Sequence, residues 1–206
     1  MKDPAGAVSA NETLRTINSR RSIRNFLDKP VRDADLRIIL HAANQAPSAH
    51  NQQSWRFAVL RGGKKDGLVE LIAARAADFP RPSNALLRMA SRSIASAPVV
   101  ICVANTGELI RRGSELFKVD RAQAHDFFRI MEIQSSAAAV QNLLLAAASL
   151  GLAAVWLGIL VLIKKEVLEF MGEPEGEFMA VIPVGYAARP GSSPAKRPLD
   201  VVVRFL

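Results

Sequence analysis

The sequence predicts a domain of three layers in the α+β or α/β class, with helices covering a β-sheet. Short apolar runs typical of strands, at Trp55–Leu60, 99–104 and 178–187, alternate with segments of helical periodicity. Residues 137–148 are apolar nearly all round, which predicts a helix buried on most of its faces. Because half of the 206 residues are hydrophobic, we expect one core and a single domain over residues 1–206.

The first half of the chain is predicted to begin with two helices. Ser9 and Glu12 fit a capping box, and the helix that they start should fade near Ser19. Asp33 is placed to cap a second helix, which Pro47 ends. After the strand of 55–60, the predicted elements are a turn and two helices, at 62–63, 65–77 and 85–96.

The second half contains the longest predicted helix, over residues 122–150, and Gly151 is suited to end it. The polar connection before it, 105–120, has no clear structural signal. Further predicted elements are an extended segment, a short helix, a strand and a strand-like end, at 153–158, 164–171, 178–187 and 200–206.

The apolar stretch 143–163 is long enough to cross a bilayer. Gly151 and the β-branched Val155 favour the alternative, a buried helix that turns into a buried strand, so we expect no membrane span. The beginning of the sequence lacks an apolar signal region, which predicts a cytoplasmic protein. The single cysteine, Cys102, excludes a disulfide within the chain and a cysteine-built zinc site, and we expect no metal site.

The net charge of +8 comes from the first half of the chain. Residues 1–103 carry 16 Lys and Arg against 8 Asp and Glu, whereas 104–206 carry 11 of each class. Such asymmetry can indicate nucleic-acid binding. One tyrosine, two tryptophans and no recognised motif accompany it, so we expect no nucleic-acid partner but a basic surface with small anion sites.

Three separate segments could carry chemistry. Residues 20–24, RRSIR, would place Arg20, Ser22 and Arg24 on one side if extended, which suits a phosphate, although a solvated basic turn is the alternative. Residues 46–57, APSAHNQQSWRF, form a polar loop that suits a planar heterocycle, or a simple connection. Residues 151–158, GLAAVWLG, could approach a flat ligand closely, or form only a buried strand.

Together these segments, with IPVGYA at 182–187 and KRPL at 196–199, resemble the nitroreductase family of FMN-dependent oxidoreductases. The resemblance implies an α+β fold with a central, mostly antiparallel sheet flanked by helices. It also implies a homodimer with FMN at the interface. The expected phosphate ligands are Arg20, Arg21, Ser22, Arg24 and Arg197, helped by Lys196. The loop against the flavin, often supplied by the other subunit, would be Pro47, Ser48, Ala49, His50 and Asn51. Trp156, Leu157 and Gly158 would lie beside the ring, with the Gly158 N–H near N5.

The function implied by this resemblance is hydride transfer from NAD(P)H, through flavin N5, to a small conjugated acceptor such as a nitroaromatic or a quinone, by a ping-pong cycle. No side chain is a necessary acid or base, and His50 is expected to hydrogen-bond within its loop. The alternatives are specialised chemistry on the same fold, including dehalogenation, oxidation or flavin fragmentation, and a flavin-binding protein without turnover. The variable substrate lid is expected within residues 105–125.

Overall fold

A central antiparallel sheet organises the protein, which a computed structural model describes over residues 11–116 and 120–206. Its strands, in the spatial order β1-β2-β4-β3, are β1 (Trp55–Leu60), β2 (Val99–Asn105), β4 (Glu177–Gly185) and β3 (Ala153–Ala154). Each neighbouring pair is antiparallel, and a bulge interrupts the β2–β4 register between Val103 and Ala104.

Helices cover both faces of the sheet. They are α1 (Glu12–Ser19), α2 (Asp33–Asn44), α3 (Gly62–Ala76), α4 (Ser83–Ser96), α5 (Glu108–Leu116), α6 (Arg121–Ser149), α7 (Lys164–Met171) and α8 (Leu199–Val202). Two 3₁₀ turns, Ala49–Asn51 and Gly158–Ile163, complete the described elements.

Strand β2 separates two hydrophobic cores. Its residues Val100 and Cys102 pack with α3, α4 and α7, whereas Ile101 and Val103 pack with α2 and α6. Because successive side chains of a strand point to opposite faces, a strand that is apolar at every position must be covered on both sides. The apolar run at 99–104 therefore produces the three-layer α+β architecture that the sequence predicts.

Most predicted elements are present, with corrections at their ends. Asp33 is the first residue of α2 and not its cap, and its carboxylate pairs with Arg61 at 2.6 Å. The Gly62-Gly63 turn is wrong, because both glycines begin α3. Helix α1 is capped by the Asn11 side chain, which accepts from the Leu14 N–H at 3.1 Å, and the predicted cap Ser9 lies outside the described residues.

The strand-like end predicted at 200–206 is also wrong. Residues 199–202 form the single-turn helix α8, and the rest of the tail joins no strand of the described sheet. Valine-rich sequence favours strands only when a neighbouring strand supplies hydrogen bonds and packing. The tail is instead exposed, with Phe205 at 95% exposure.

The long apolar stretch 143–163 is divided among three elements. Helix α6 ends at Ser149, and Gly151 adopts a left-handed φ of 72° that turns the chain into β3. The extended segment predicted at 153–158 is regular only at Ala153–Ala154. Among the described residues, no helix has the length and apolar character needed to span a bilayer.

Candidate functional site: two adjoining cavities

A cavity of about 260 Å³ brings the arginine-rich segment together with the late part of the chain. The segment after α1 is extended, because Ser22 forms a bridge with Ala154 and the Ile23 N–H donates to the Ala154 carbonyl at 3.2 Å. Nearby, Phe26 pairs with Ala187. The residues lining the cavity are Arg20, Arg21, Ser22, Arg24, Ser192, Ser193, Pro194 and Lys196.

The charge of this basic cavity has one sign. Four of its lining side chains are cationic, and the others are hydroxyl-bearing or proline. Guanidinium and ammonium groups crowded around serine hydroxyls form a donor set for an anion with several acceptor oxygens. The arrangement therefore suits a phosphate monoester.

Arg21 differs from its neighbours because its guanidinium already has protein partners. It donates to the carbonyls of Asn18 at 2.6 Å and Arg20 at 2.8 Å, and to the Ser193 hydroxyl at 2.7 Å. Gly191 packs directly against it, since a Cβ added at Gly191 would lie 2.7 Å from the Arg21 Cβ. Arg21 thus ties the late segment to the early one and has fewer donors left for a ligand.

The two late basic residues are placed differently. Lys196 lines the basic cavity, whereas Arg197 is exposed and lines neither of the two cavities described in this section. The sequence motif does not distinguish them, because the two residues are adjacent and follow the same stretch rich in proline, serine and glycine.

A second cavity of about 310 Å³ adjoins the first through Arg24, which lines both. Its other walls are mainly apolar, and they come from the 156–159 segment and from helix α4. The lining residues are Leu86, Met89, Ala90, Trp156, Leu157, Gly158 and Ile159. An apolar cavity with a single cation at one end suits a flat ring system attached to an anionic group.

Sequence reasoning missed the α4 wall of this apolar cavity. Leu86 and Met89 are 43% and 53% exposed although they are large and apolar. Their spacing of three residues places them on one side of α4, beside the core-facing Leu87 and Ala90. Helical periodicity predicts that Leu86 and Met89 share one side of the helix, but only the fold brings Trp156 into the same cavity.

The polar loop 47–51 lies apart from both cavities. His50, Asn51 and Gln53 have φ values of 52°, 53° and 51°, a left-handed conformation that non-glycine residues rarely adopt. The loop is held by the Ala49 N–H, which donates to the Ser135 hydroxyl, and by the Gln53 N–H, which donates to the Ser48 hydroxyl, each at 3.1 Å. Strained backbone that is fixed by specific bonds is typical of functional loops. None of Pro47, Ser48, Ala49, His50 and Asn51 lines either cavity of its own chain.

Other reactive groups lie away from these cavities. Cys102 is buried in β2, and burial raises the pKa of its thiol to about 12, so the nucleophilic thiolate does not form near neutral pH. The described residues contain no cluster of His, Cys, Asp and Glu suited to a metal ion.

Comparison with known proteins shows the family of this chain. The family model described as "Nitroreductase family" matches residues 17–186. The chain is 33% identical, over 85% of each chain, to a protein of Archaeoglobus fulgidus named "Putative NADH dehydrogenase/NAD(P)H nitroreductase". A crystal structure from Desulfovibrio desulfuricans, described as a "putative nitroreductase in complex with fmn", superposes with a TM-score of 0.71 at 32% identity, covering 94% of this chain and 95% of that one.

The fold is shared more widely than the sequence. The nitroreductase CinD of Lactococcus lactis, solved with chloramphenicol, superposes with a TM-score of 0.77 at 21% identity, covering 94% of this chain and 98% of that one. The matched range of the family model includes the arginine-rich segment, the polar loop and the 151–158 segment. This chain therefore belongs to the nitroreductase family.

Proposed function

We propose that the protein is an FMN-dependent oxidoreductase that transfers hydride equivalents from NAD(P)H to a small conjugated acceptor, such as a nitroaromatic or a quinone, in a ping-pong cycle. The observation that carries the proposal is the pair of cavities joined at Arg24, one basic and one apolar. FMN has the matching form, with a phosphate at one end and a flat ring at the other.

The basic cavity would hold the phosphate. Arg20 and Lys196 supply charge, and the Ser22 hydroxyl supplies a neutral donor. Arg21 supports the site by fixing Ser193, and Arg24 extends from the phosphate end towards the ring end. Arg197 stays a predicted ligand that would need the tail to move, or a partner subunit, to reach the phosphate.

The apolar cavity would hold the ring. Trp156, Leu157 and Gly158 form one wall, and Leu86 and Met89 form another. Excluding water there strengthens electrostatic interactions, so the Arg24 guanidinium would stabilise negative charge that is added inside the cavity.

Bound FMN supplies the redox chemistry, since it takes a hydride from the nicotinamide and returns electrons to a second substrate. The chain's own residues bind the cofactor, shield it and set its electrostatic surroundings. A side-chain acid or base is not needed for hydride transfer. His50, on the exposed loop, is proposed to contribute hydrogen bonding only.

We further propose that the protein acts as a homodimer in which the 47–51 loop completes the partner's site. The loop lies away from the cavities of its own chain, although its backbone is strained and well fixed. The α6 residues Phe127 and Ile130 are each about half exposed, and the tail is apolar and exposed. Apolar surface of this kind gains roughly 25 cal/mol per Å² when a second chain covers it.

Anaerobic reduction tests this function. The purified protein, incubated with FMN and freed of excess, should be yellow and should bleach with NADH or NADPH. Oxidants added next, a nitroaromatic and a quinone among them, should restore the colour. A protein that stays colourless would contradict flavin binding. A yellow protein that neither nicotinamide bleaches would support a flavoprotein without this activity. A protein that bleaches but regains its colour with none of the added acceptors would favour specialised chemistry.

A further inference from the structure

Helix α5 is attached to the chain directly after the 47–51 loop through one glutamine, Gln52. The Gln52 side chain donates from Nε2 to Glu108 Oε2 at 3.2 Å and accepts at Oε1 from Arg112 Nη1 at 3.1 Å. Glu108 and Arg112 are four residues apart, on the same face of α5. One amide therefore bridges an acid and a base on α5 directly after the loop 47–51.

Helix α6 forms hydrogen bonds with both α5 and the 47–51 loop. The buried Glu132, 1% exposed, accepts from the Leu109 N–H at 2.8 Å, in the first turn of α5. One turn further along α6, the Ser135 hydroxyl accepts from the Ala49 N–H of the loop. These two bonds attach both α5 and the loop to the same part of α6.

Close packing strengthens this attachment. Gly113 of α5 faces the ring of Phe128, and a Cβ added at Gly113 would lie 2.1 Å from that ring. Leu109, Ala124 and Phe128 form a small apolar cluster that Ala49 also contacts. Helix α5 therefore cannot slide over α6 without disturbing the cluster that includes the loop.

We propose that Gln52 is a positioning residue that locks α5 to the 47–51 loop, so that the helix forms a fixed wall of the substrate site. The inference rests on the proposed function, in which that loop lies against the flavin ring bound by the partner subunit. A wall fixed in this way orients the nicotinamide and the acceptor, whereas FMN is retained mainly by the basic cavity. Gln52 should therefore affect the KM of both substrates and leave FMN retention unchanged.

A charge exchange tests the bridge. Gln52→Glu places two carboxylates opposite each other and should raise the KM for NAD(P)H and for the acceptor by about 3- to 10-fold, with a smaller change in kcat. Adding Glu108→Gln removes this repulsion and restores one donor and one acceptor across the same contact. Arg112 faces the position-52 carboxylate in both variants, and the half-exposed Arg56 gives up its 3.6 Å ion pair with Glu108 in the double variant. The double variant should return KM to within about twofold of the unchanged protein. Glu70→Gln, at an exposed glutamate of α3 that lines neither cavity, is the control for a charge exchange and should change neither constant.

Hydrogen exchange provides a readout that does not depend on activity. Gln52→Glu should speed exchange in both 47–53 and 108–113, and the double variant should reverse the change in both segments. Unchanged exchange and KM in the single variant would overturn the proposal, as would a double variant no better than the single one. Loss of FMN with unchanged KM would also overturn it. A protein that binds no FMN would contradict the proposed function, and exchange alone would then decide whether Gln52 locks α5 to the loop.

Discussion

Arg20 and Arg21 are adjacent in the chain and have different tasks. The Arg21 guanidinium is held by two carbonyls and by Ser193, whereas Arg20 lines the basic cavity as a charged donor. The family resemblance implies that both are phosphate ligands, because identical side chains cannot be distinguished before their partners are known. The contacts of Arg21 with two carbonyls and with Ser193, which is 172 residues away, separate the two roles.

The Arg20→Ala variant should retain FMN poorly. Losing one charge-assisted hydrogen bond costs about 1.5–3 kcal/mol, equivalent to a dissociation constant about 10- to 150-fold higher. Quenching of FMN fluorescence on titration with the protein measures this dissociation constant. Arg61→Ala is the control, since Arg61 pairs with Asp33 outside both cavities and an exposed pair contributes at most about 1 kcal/mol to folding. Equal retention by the two variants would contradict the phosphate assignment.

The Cys102 thiol should make stability fall at alkaline pH. Burial raises its pKa from 9.0 to about 12 in the folded chain, so the unfolded chain loses this proton first as pH rises. The resulting loss begins near pH 9, continues towards pH 12 and reaches at most about 1.4 kcal/mol per pH unit. Urea unfolding of the unchanged protein and of Cys102→Ala at pH 7 and 10 isolates it. A gap between the two proteins that does not narrow at pH 10 would contradict the burial effect.

At the scale of elements, local composition predicts the central strands and helices well. The run WRFAVL gives β1 with both ends in place, and the helix predicted at 164–171 has those bounds. Helix α5 could not be predicted, because its sequence is polar and its first turn depends on Glu132, a residue more than twenty positions away. The α4 wall of the apolar cavity required the same tertiary information.

The contact between the early and late extended segments should be sensitive to any added atom at Gly191. A Cβ there would lie 2.6 Å from Ile23 Cδ1 and 2.7 Å from the Arg21 Cβ, which forces the segments apart. Gly191→Ala should therefore raise the FMN dissociation constant by about tenfold, the equivalent of one lost hydrogen bond of about 1.4 kcal/mol. Gly63→Ala, with open space around the added Cβ, is the matched control and should bind FMN normally. Similar binding by both variants would show that the two segments can separate without loss.

At the scale of the whole molecule, the exposed tail is proposed to belong to the dimer. Removing residues 199–206 deletes a largely apolar segment that includes the exposed Leu199 and Phe205. The truncated protein should shift from dimer to monomer and lose FMN, because the partner's loop no longer reaches the ring. Light scattering after size-exclusion chromatography measures the mass. Phe205→Asp should weaken the dimer in the same direction, and a truncated chain that remains dimeric would contradict the tail's role.

Local ion pairs neutralise part of the positive charge in the first half of the chain. Arg32 donates twice to Asp35, which lowers the pKa of that carboxyl, and Arg75 pairs with Asp78 and Glu166. Four cations and no acidic residue line the basic cavity, which supports the interpretation of a small anion site over a nucleic-acid surface.

The crowding of cations in the basic cavity also has a consequence for folding. Like charges held close together destabilise the folded chain until an anion neutralises them, so a bound phosphate group would also act as a counter-ion that stabilises the fold. A ligand present at 100 times its dissociation constant adds about 2.7 kcal/mol to the free energy of unfolding. Inorganic phosphate, although it has no ring, should therefore raise the melting temperature of the flavin-free protein, and Arg20→Ala should reduce that gain. The protein's measured stability would then depend on the buffer in which it is stored.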